Sequence, residues 1–221
     1  FASSTQPDGP NLAELLDLVA LGTVADVVPL DHNNRVLVHQ GLLRVRAGRA
    51  RPGIAAMLRI AGREASSVTA ADLAFAIGPR LNAAGRLTDM SLGIECLLSP
   101  DLNRAMEMAA ELDALNRDRR EIETSMRNEA ERAVATLKLD GALPSALCLY
   151  AGDWHPGVVG IVASRIKDAT HRPVVAFADD NDVLLKGSAR SVPGLHIRDA
   201  LDSVATRHPG LVEKFGGHAM A

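Results

Sequence analysis

The chain has 221 residues, 47% of them hydrophobic, and a formal net charge of −3. That length suits one large or two small domains, and the charge excludes a general polyanion magnet: nucleic acid would have to be bound in a local groove. Aromatic residues make up only 3% of the chain, too few for a base-stacking platform spread across a sheet.

The first hundred residues read as helices. Asn11 is placed to cap a stretch from Leu12 to Ala20, and Asn34 a second helix through Leu37, Leu42 and Leu43. Thr69 and Asp72 have capping-box spacing ahead of Leu73, Phe75 and Ile77, and Gly78-Pro79 is expected to stop that helix. Gly22, Pro29, Pro52-Gly53 and Gly85 are expected to punctuate the segments. From Asp101 to Lys138 apolar residues recur at helical spacing without Gly or Pro, from Met108 and Leu112 to Ala133 and Leu137. Arg117 and Glu121, Arg119 and Glu123, and Glu123 and Arg127 are spaced for i,i+4 pairs. One helix over that span would be roughly 55 Å long at 1.5 Å per residue, so it reads as a bridge between two bodies that ends at Asp140-Gly141. Beyond Pro144, strands are expected at 146–150, 173–177 and 183–191, with helices at 158–167 and 196–206, giving a small α/β domain with a mixed sheet.

Several clusters could carry chemistry. Asp26 is the one carboxylate in the apolar run Leu18 to Leu30, and it either caps nearby amides or answers to a specific partner such as a metal. Gly78-Pro-Arg-Leu-Asn-Ala-Ala-Gly-Arg86 sets Arg80, Asn82 and Arg86 among small residues, either to grip phosphate or as a helix-to-helix loop whose arginines pair with acids such as Asp89. Lys186-Gly-Ser-Ala-Arg-Ser191 offers Ser188 and Arg190 at a strand end as a phosphate clamp. Gly216 and Gly217 precede His218 and allow close backbone approach, while His155 stands before a helix start as an anion donor or as a cap. Five of the seven histidines fall after residue 150, none at zinc-type spacing. Cys96 and Cys148 read as small buried core residues of a reducing compartment. No apolar run reaches the roughly 18 residues that span a bilayer, and no signal peptide is legible. The start at Phe1 and the end at Ala221 read as the limits of a piece of a longer protein.

Leu21-Gly-Thr-Val-Ala-Asp26, Gly78 to Arg86, Trp154-His-Pro-Gly-Val-Val-Gly-Ile-Val-Ala-Ser164, Gly187-Ser-Ala-Arg-Ser191 and Gly216-Gly-His-Ala-Met220 together resemble the DHH phosphoesterase family. Within it they are most similar to the single-stranded-DNA-specific 5′→3′ exonucleases. The resemblance implies an α/β architecture: residues 1–100 as the C-terminal part of a DHH catalytic domain, mostly helical, 101–140 as a connecting helix, and 141–221 as a smaller DHH-associated domain with a mixed sheet. It implies two Mn²⁺ or Mg²⁺ ions, with Asp26 as the last metal-binding aspartate and Arg80, Asn82 and Arg86 along the DNA path. Ser188, Arg190, His218 and, more weakly, His155 would hold phosphates, with Gly216 and Gly217 permitting the approach. Single-stranded DNA with a 5′ end, a single-strand-binding protein, a cytoplasmic setting, no membrane and a monomeric intact enzyme follow from the same likeness. The family's Asp-His-His motif is absent from the 221 residues, so the isolated polypeptide is expected to be inactive and the first helices to lack the sheet they pack on. A same-family phosphoesterase of short oligonucleotides or phosphoadenosine phosphate, a non-catalytic nucleic-acid-binding scaffold and an oligomerising helical module are the alternative readings.

Overall fold

The computed structural model describes residues 11–139, 143–180 and 183–221. They divide into two compact units, Phe1–Arg117 and Asp118–Ala221. In the first, Asn11 caps a 3₁₀ turn (Leu12–Leu15) by accepting from the Ala13 N–H, and the turn runs into α1 (Leu16–Ala25). Helix α2 (His32–Arg46) begins at Asp31, whose carboxylate accepts from the Asn34 N–H. Asp31 therefore does the capping assigned to Asn34, three residues too far into the helix. Pro52 does not break the chain but opens α3 (Pro52–Ile60), where its missing N–H leaves no bond unmade. Gly53 inside α3 and Gly41 inside α2 are packing positions. A Cβ at Gly53 would run into the Cys96 carbonyl oxygen, and one at Gly41 into that of Leu16. These two glycines let α3 approach α6 (Ser91–Leu98), and α2 approach α1, backbone to backbone.

The capping box forms as spaced. Thr69 and Asp72 exchange bonds around the short turn α4 (Ala70–Asp72). Gly78-Pro79 does not stop the helix, contrary to expectation. A π-turn over Leu73–Ile77 widens the coil, the Gly78 N–H bonds back to Leu73, and α5 (Gly78–Leu87) continues with Pro79 in its first turn. The wider turn accommodates the proline ring and its missing donor. Gly22 and Gly85 likewise lie inside α1 and α5 rather than between segments.

The core of this unit joins Ala20, Leu21, Val45, Ile54, Met57, Leu73 and Ile77 to Ala105, Met108, Ala109 and Leu112 on the first turns of α7 (Leu102–Leu139). Asp17 is fully buried and fastens α1 to the start of α3: it accepts from the Arg51 N–H at 2.8 Å and stands 3.8 Å from the Arg51 Nε. Leu12, Val19, Val27, Val28 and Phe75 are exposed.

Helix α7 has 38 residues, and Asp140-Gly141, read as its stop, lie outside the described residues. Of the three pairs expected on it, Arg119–Glu123 forms at 2.7 Å. Arg117 turns back to Asp113 and Arg127 forward to Glu131, while Glu123 also holds Arg165 at 3.5 Å.

The second unit is a three-stranded mixed sheet in the order β1 (Leu147–Tyr150), β2 (Val174–Asp179), β3 (Leu185–Arg190). Strands β1 and β2 run parallel, with Leu147 opposite Val174, while β2 and β3 run antiparallel, with Val174 opposite Arg190. Helix α8 (Val159–Thr170) packs Val162, Ala163 and Ile166 toward the face formed by Leu147, Leu149, Val174 and Ala176. Strand β1 is buried on that face only, so Cys148 is exposed instead of buried; Cys96 is buried as expected. Met126, Ala130 and Val134 of α7 are buried in this unit, and Trp154 donates its indole N–H to Glu129 at 2.8 Å. Helix α9 (Ile197–Arg207) starts at His196, whose Nδ1 accepts from the Asp199 N–H.

Candidate phosphate-binding site

In the first unit Asp26 is the C-cap of α1 and is exposed rather than buried in the apolar run. The chain leaves α1 through a Schellman motif: the Val28 N–H bonds to the Thr23 carbonyl at 3.0 Å and the Val27 N–H to Val24 at 3.3 Å. The residue after the cap is Val27 at φ 54°, a left-handed conformation normally given to glycine, and this valine is 85% exposed. Burial therefore does not account for the branched residue beside Asp26.

The end of α1 rests on the start of α5. A Cβ added to Gly78 would stand 3.5 Å from the Ala25 Cβ, which places Asp26 next to the α5 amino terminus. Along α5, Asn82 and Arg86 are exposed. Arg80 is drawn inward, with its side chain 12% exposed, paired to Asp113 at 2.7 Å and donating to the Ala76 carbonyl. The Gly78–Arg86 segment is thus helix, not loop. Asp89 serves Ser91 instead of an arginine, and the Ser91 N–H, then its hydroxyl, hold that carboxyl below the usual range.

The second unit gathers more of the candidates. Arg190, the last residue of β3, donates from Nε to the Ser164 Oγ on α8 at 3.1 Å, and from Nη1 to the Ser188 Oγ at 3.0 Å and the Ala189 carbonyl at 2.7 Å. Gly160, one turn before Ser164, lies against the same group. A Cβ there would come within 2.9 Å of both the Arg190 Nη2 and the Ser188 Oγ. The C-terminal residues are stitched beside this strand end: the Ser191 N–H donates to the Met220 carbonyl at 2.9 Å and the Ile197 N–H to Ala219 at 3.0 Å. Gly217 takes φ 131°, open to glycine alone, and carries the chain into His218. The His218 Nδ1 accepts from the Met220 N–H at 3.3 Å, so the neutral ring keeps its proton on Nε2 as a donor.

His155 is arranged in the same way, its Nδ1 accepting from the Gly157 N–H at 3.0 Å just before α8. That contact closes a turn ahead of the helix, whose N-cap is Val158 with no side-chain cap bond, so the capping expected of His155 is not made. The contact leaves Nε2–H as the donor, but nothing among the described residues bonds His155 to Ser188, Arg190 or His218. Gly216 has open space around it. Asp113, Gly160 and Ser164 belong to these two groups and were not singled out in the sequence. Gly160 and Ser164 lie within the Trp154–Ser164 run that carries the resemblance, where they form a pair of small residues at i,i+4 on one helix face.

Among the described residues no group of three or more His, Cys, Asp or Glu side chains could hold a metal, and Asp26 stands in no such group. A two-metal centre needs ligands beyond those described.

A family model described as DHHA1 domain matches residues 143–221. The chain is 61% identical over 213 residues to the single-stranded-DNA-specific exonuclease RecJ of Dickeya dadantii (strain 3937), a match covering 96% of this chain and 37% of that protein. With its Escherichia coli (strain K12) counterpart it shares 59% identity over 213 residues, with the same two coverages. A crystal structure of RecJ from Thermus thermophilus in complex with Mg²⁺ superposes with a TM-score of 0.79 at 36% identity, over 96% of this chain and 31% of that one. Another, of exonuclease RecJ bound to manganese, gives 0.78 at 35% identity, over 97% of this chain and 51% of that one. The chain thus spans little more than a third of the length of the first two relatives, 37%. Residues 143–221 match the DHHA1 domain model, and along 96% of its length the chain is similar to RecJ.

Proposed function

We propose that the chain is part of a metal-dependent exodeoxyribonuclease of DNA repair and recombination that hydrolyses single-stranded DNA from a 5′ end. The observation that carries this reading is the convergence of Ser188, Arg190 and the Gly217-His218 tail at one end of β3. A guanidinium grips phosphate oxygens through its fork of N–H groups, and a neutral imidazole adds the Nε2–H donor. Glycine at 217 lets the backbone itself approach the nucleic acid. Arg86 and Asn82, exposed on α5 beside Asp26, contact the strand in the first unit, while Arg80, tied to Asp113, braces the helix that presents them. Asp26 gives one carboxylate to a Mn²⁺ or Mg²⁺ pair. When bound, such ions activate water and neutralise charge on the phosphodiester, and the remaining ligands are contributed by segments outside this chain.

In this reading residues 1–100 belong to the catalytic domain, 101–140 connect, and 141–221 hold phosphates. A cytoplasmic setting and a single-strand-binding protein as partner fit such a substrate. Among the described residues no helix is long and apolar enough to cross a membrane.

The test is made on the full-length protein. Digestion of 5′-phosphorylated single strands with Mn²⁺ is lost on Asp26→Asn, while binding of the same DNA in EDTA is retained. Unchanged digestion by Asp26→Asn refutes the assignment, and faster turnover of dinucleotides than of long strands turns it toward a short-oligonucleotide phosphoesterase.

A further inference from the structure

We propose that Ser164 of α8 is a positioning residue that fixes the plane of the Arg190 guanidinium, and that Gly160 is the space that plane occupies. The inference rests on the reading of Arg190 as a phosphate ligand and adds the residues that set its aim.

The side chain of an arginine turns freely about its last torsions unless more than one of its nitrogens is held. Here two are. Nη1 is taken by Ser188 and Ala189 of its own strand, contacts that a rotation of the long side chain could keep by hinging about Nη1. Nε is taken by Ser164 at 3.1 Å, and this contact comes from a different element. A planar group fastened at two of its nitrogens has one orientation left, so the direction of Nη2 is set by the helix. Gly160, four residues earlier on the same face, lets the helix close on that plane, since a Cβ would meet Nη2 and the Ser188 Oγ at 2.9 Å each. Ser164 is half-buried, and its hydroxyl is short enough that little side-chain freedom is lost in holding the bond.

Charge-assisted hydrogen bonds are stronger than neutral ones, and removing the acceptor releases Nε without unpacking the core formed by Val162, Ala163 and Ile166. In the full-length protein Ser164→Ala is expected to weaken binding of 5′-phosphorylated single-stranded DNA in EDTA by about tenfold. In the Mn²⁺ reaction it raises KM by a similar factor, leaving kcat and the melting temperature unchanged. Ser164→Thr, which keeps the hydroxyl, restores binding. In an Arg190→Ala background Ser164→Ala has no further effect, because the group it aims is gone. If Arg190→Ala weakens binding but Ser164→Ala does not, or if Ser164→Ala adds its full loss on top of Arg190→Ala, the positioning role is overturned. If Arg190→Ala itself leaves binding and KM unchanged, it is the reading of Arg190 as a phosphate ligand that fails.

Discussion

Replacing Val27 with glycine is expected to make the protein more stable, and the size of the gain can be worked out. Val27 sits at φ 54° as the left-handed residue of the turn that closes α1. For an L-residue that conformation costs about 1–2 kcal/mol, and branching at Cβ places valine at the upper end. Glycine removes the cost but is freer in the unfolded chain, which returns about 0.4–1 kcal/mol. Val27 is 85% exposed, so little apolar burial is forfeited. The balance is a gain of about 1–1.6 kcal/mol, or about 2–6 °C in the midpoint for a protein of this size. Thermal and urea unfolding of the 221-residue protein followed by far-ultraviolet circular dichroism would measure it, with Val27→Ala as the control that stays in the left-handed region without the branch. A lower midpoint for Val27→Gly refutes the reasoning, since it would mean that the side chain makes contacts worth more than the strain. The substitution also relaxes the backbone next to Asp26, so in the full-length protein added stability should come with slower cleavage.

Gly41→Ala should destabilise the protein by about 1–3 kcal/mol despite alanine's better helix propensity, because the added methyl meets the Leu16 carbonyl oxygen, which is fixed backbone. Gly22→Ala, with nothing within 4 Å, should instead raise stability, and the two unfolding curves should move in opposite directions. Burial pushes the Cys96 thiol up to about 11, whereas Cys148 is exposed, so a disulfide reagent at a pH of about 8 should titrate one thiol in the native protein and both after unfolding. The Thr69 hydroxyl and then its N–H hold the Asp72 carboxyl below its ordinary value, with Arg63 adding a smaller pull. A lowered folded-state pKa means that its stabilisation is present above the unfolded value of about 4 and is lost as pH falls through the folded one, so Asp72→Asn should flatten the acid side of the stability profile.

Much of this architecture was legible in the amino-acid pattern. The alternation of strands and helices after residue 144, the uninterrupted helix from residue 102 and the Thr69–Asp72 box all follow from periodicity and local hydrogen bonding, which short windows contain. What was not legible depended on distant neighbours. Pro79 reads as a stop unless a π-turn absorbs it, and Pro52-Gly53 reads as a break unless another helix backbone presses on the glycine. Asp26 looks buried by its sequence neighbours, but α1 ends there and turns the side chain out. At the site, Ser188, Arg190 and His218 could be picked out by residue type and glycine content. Ser164 and Gly160 could not, since their significance lies in facing a strand that arrives only after another strand has intervened.

Helix α7 lends Ala105, Met108 and Leu112 to one core and Met126, Ala130 and Val134 to the other. A helix that owes its two ends to separate cores makes each unit a guarantor of the other's folding, because a helix in a protein draws most of its stability from packing rather than from propensity. Amide hydrogen exchange should reveal this as a gradient: slow protons at both anchored ends, and faster ones around Arg117–Glu121, where ion pairs rather than buried side chains support the coil. Raising the salt concentration should deepen that dip, screening the middle while leaving the ends untouched.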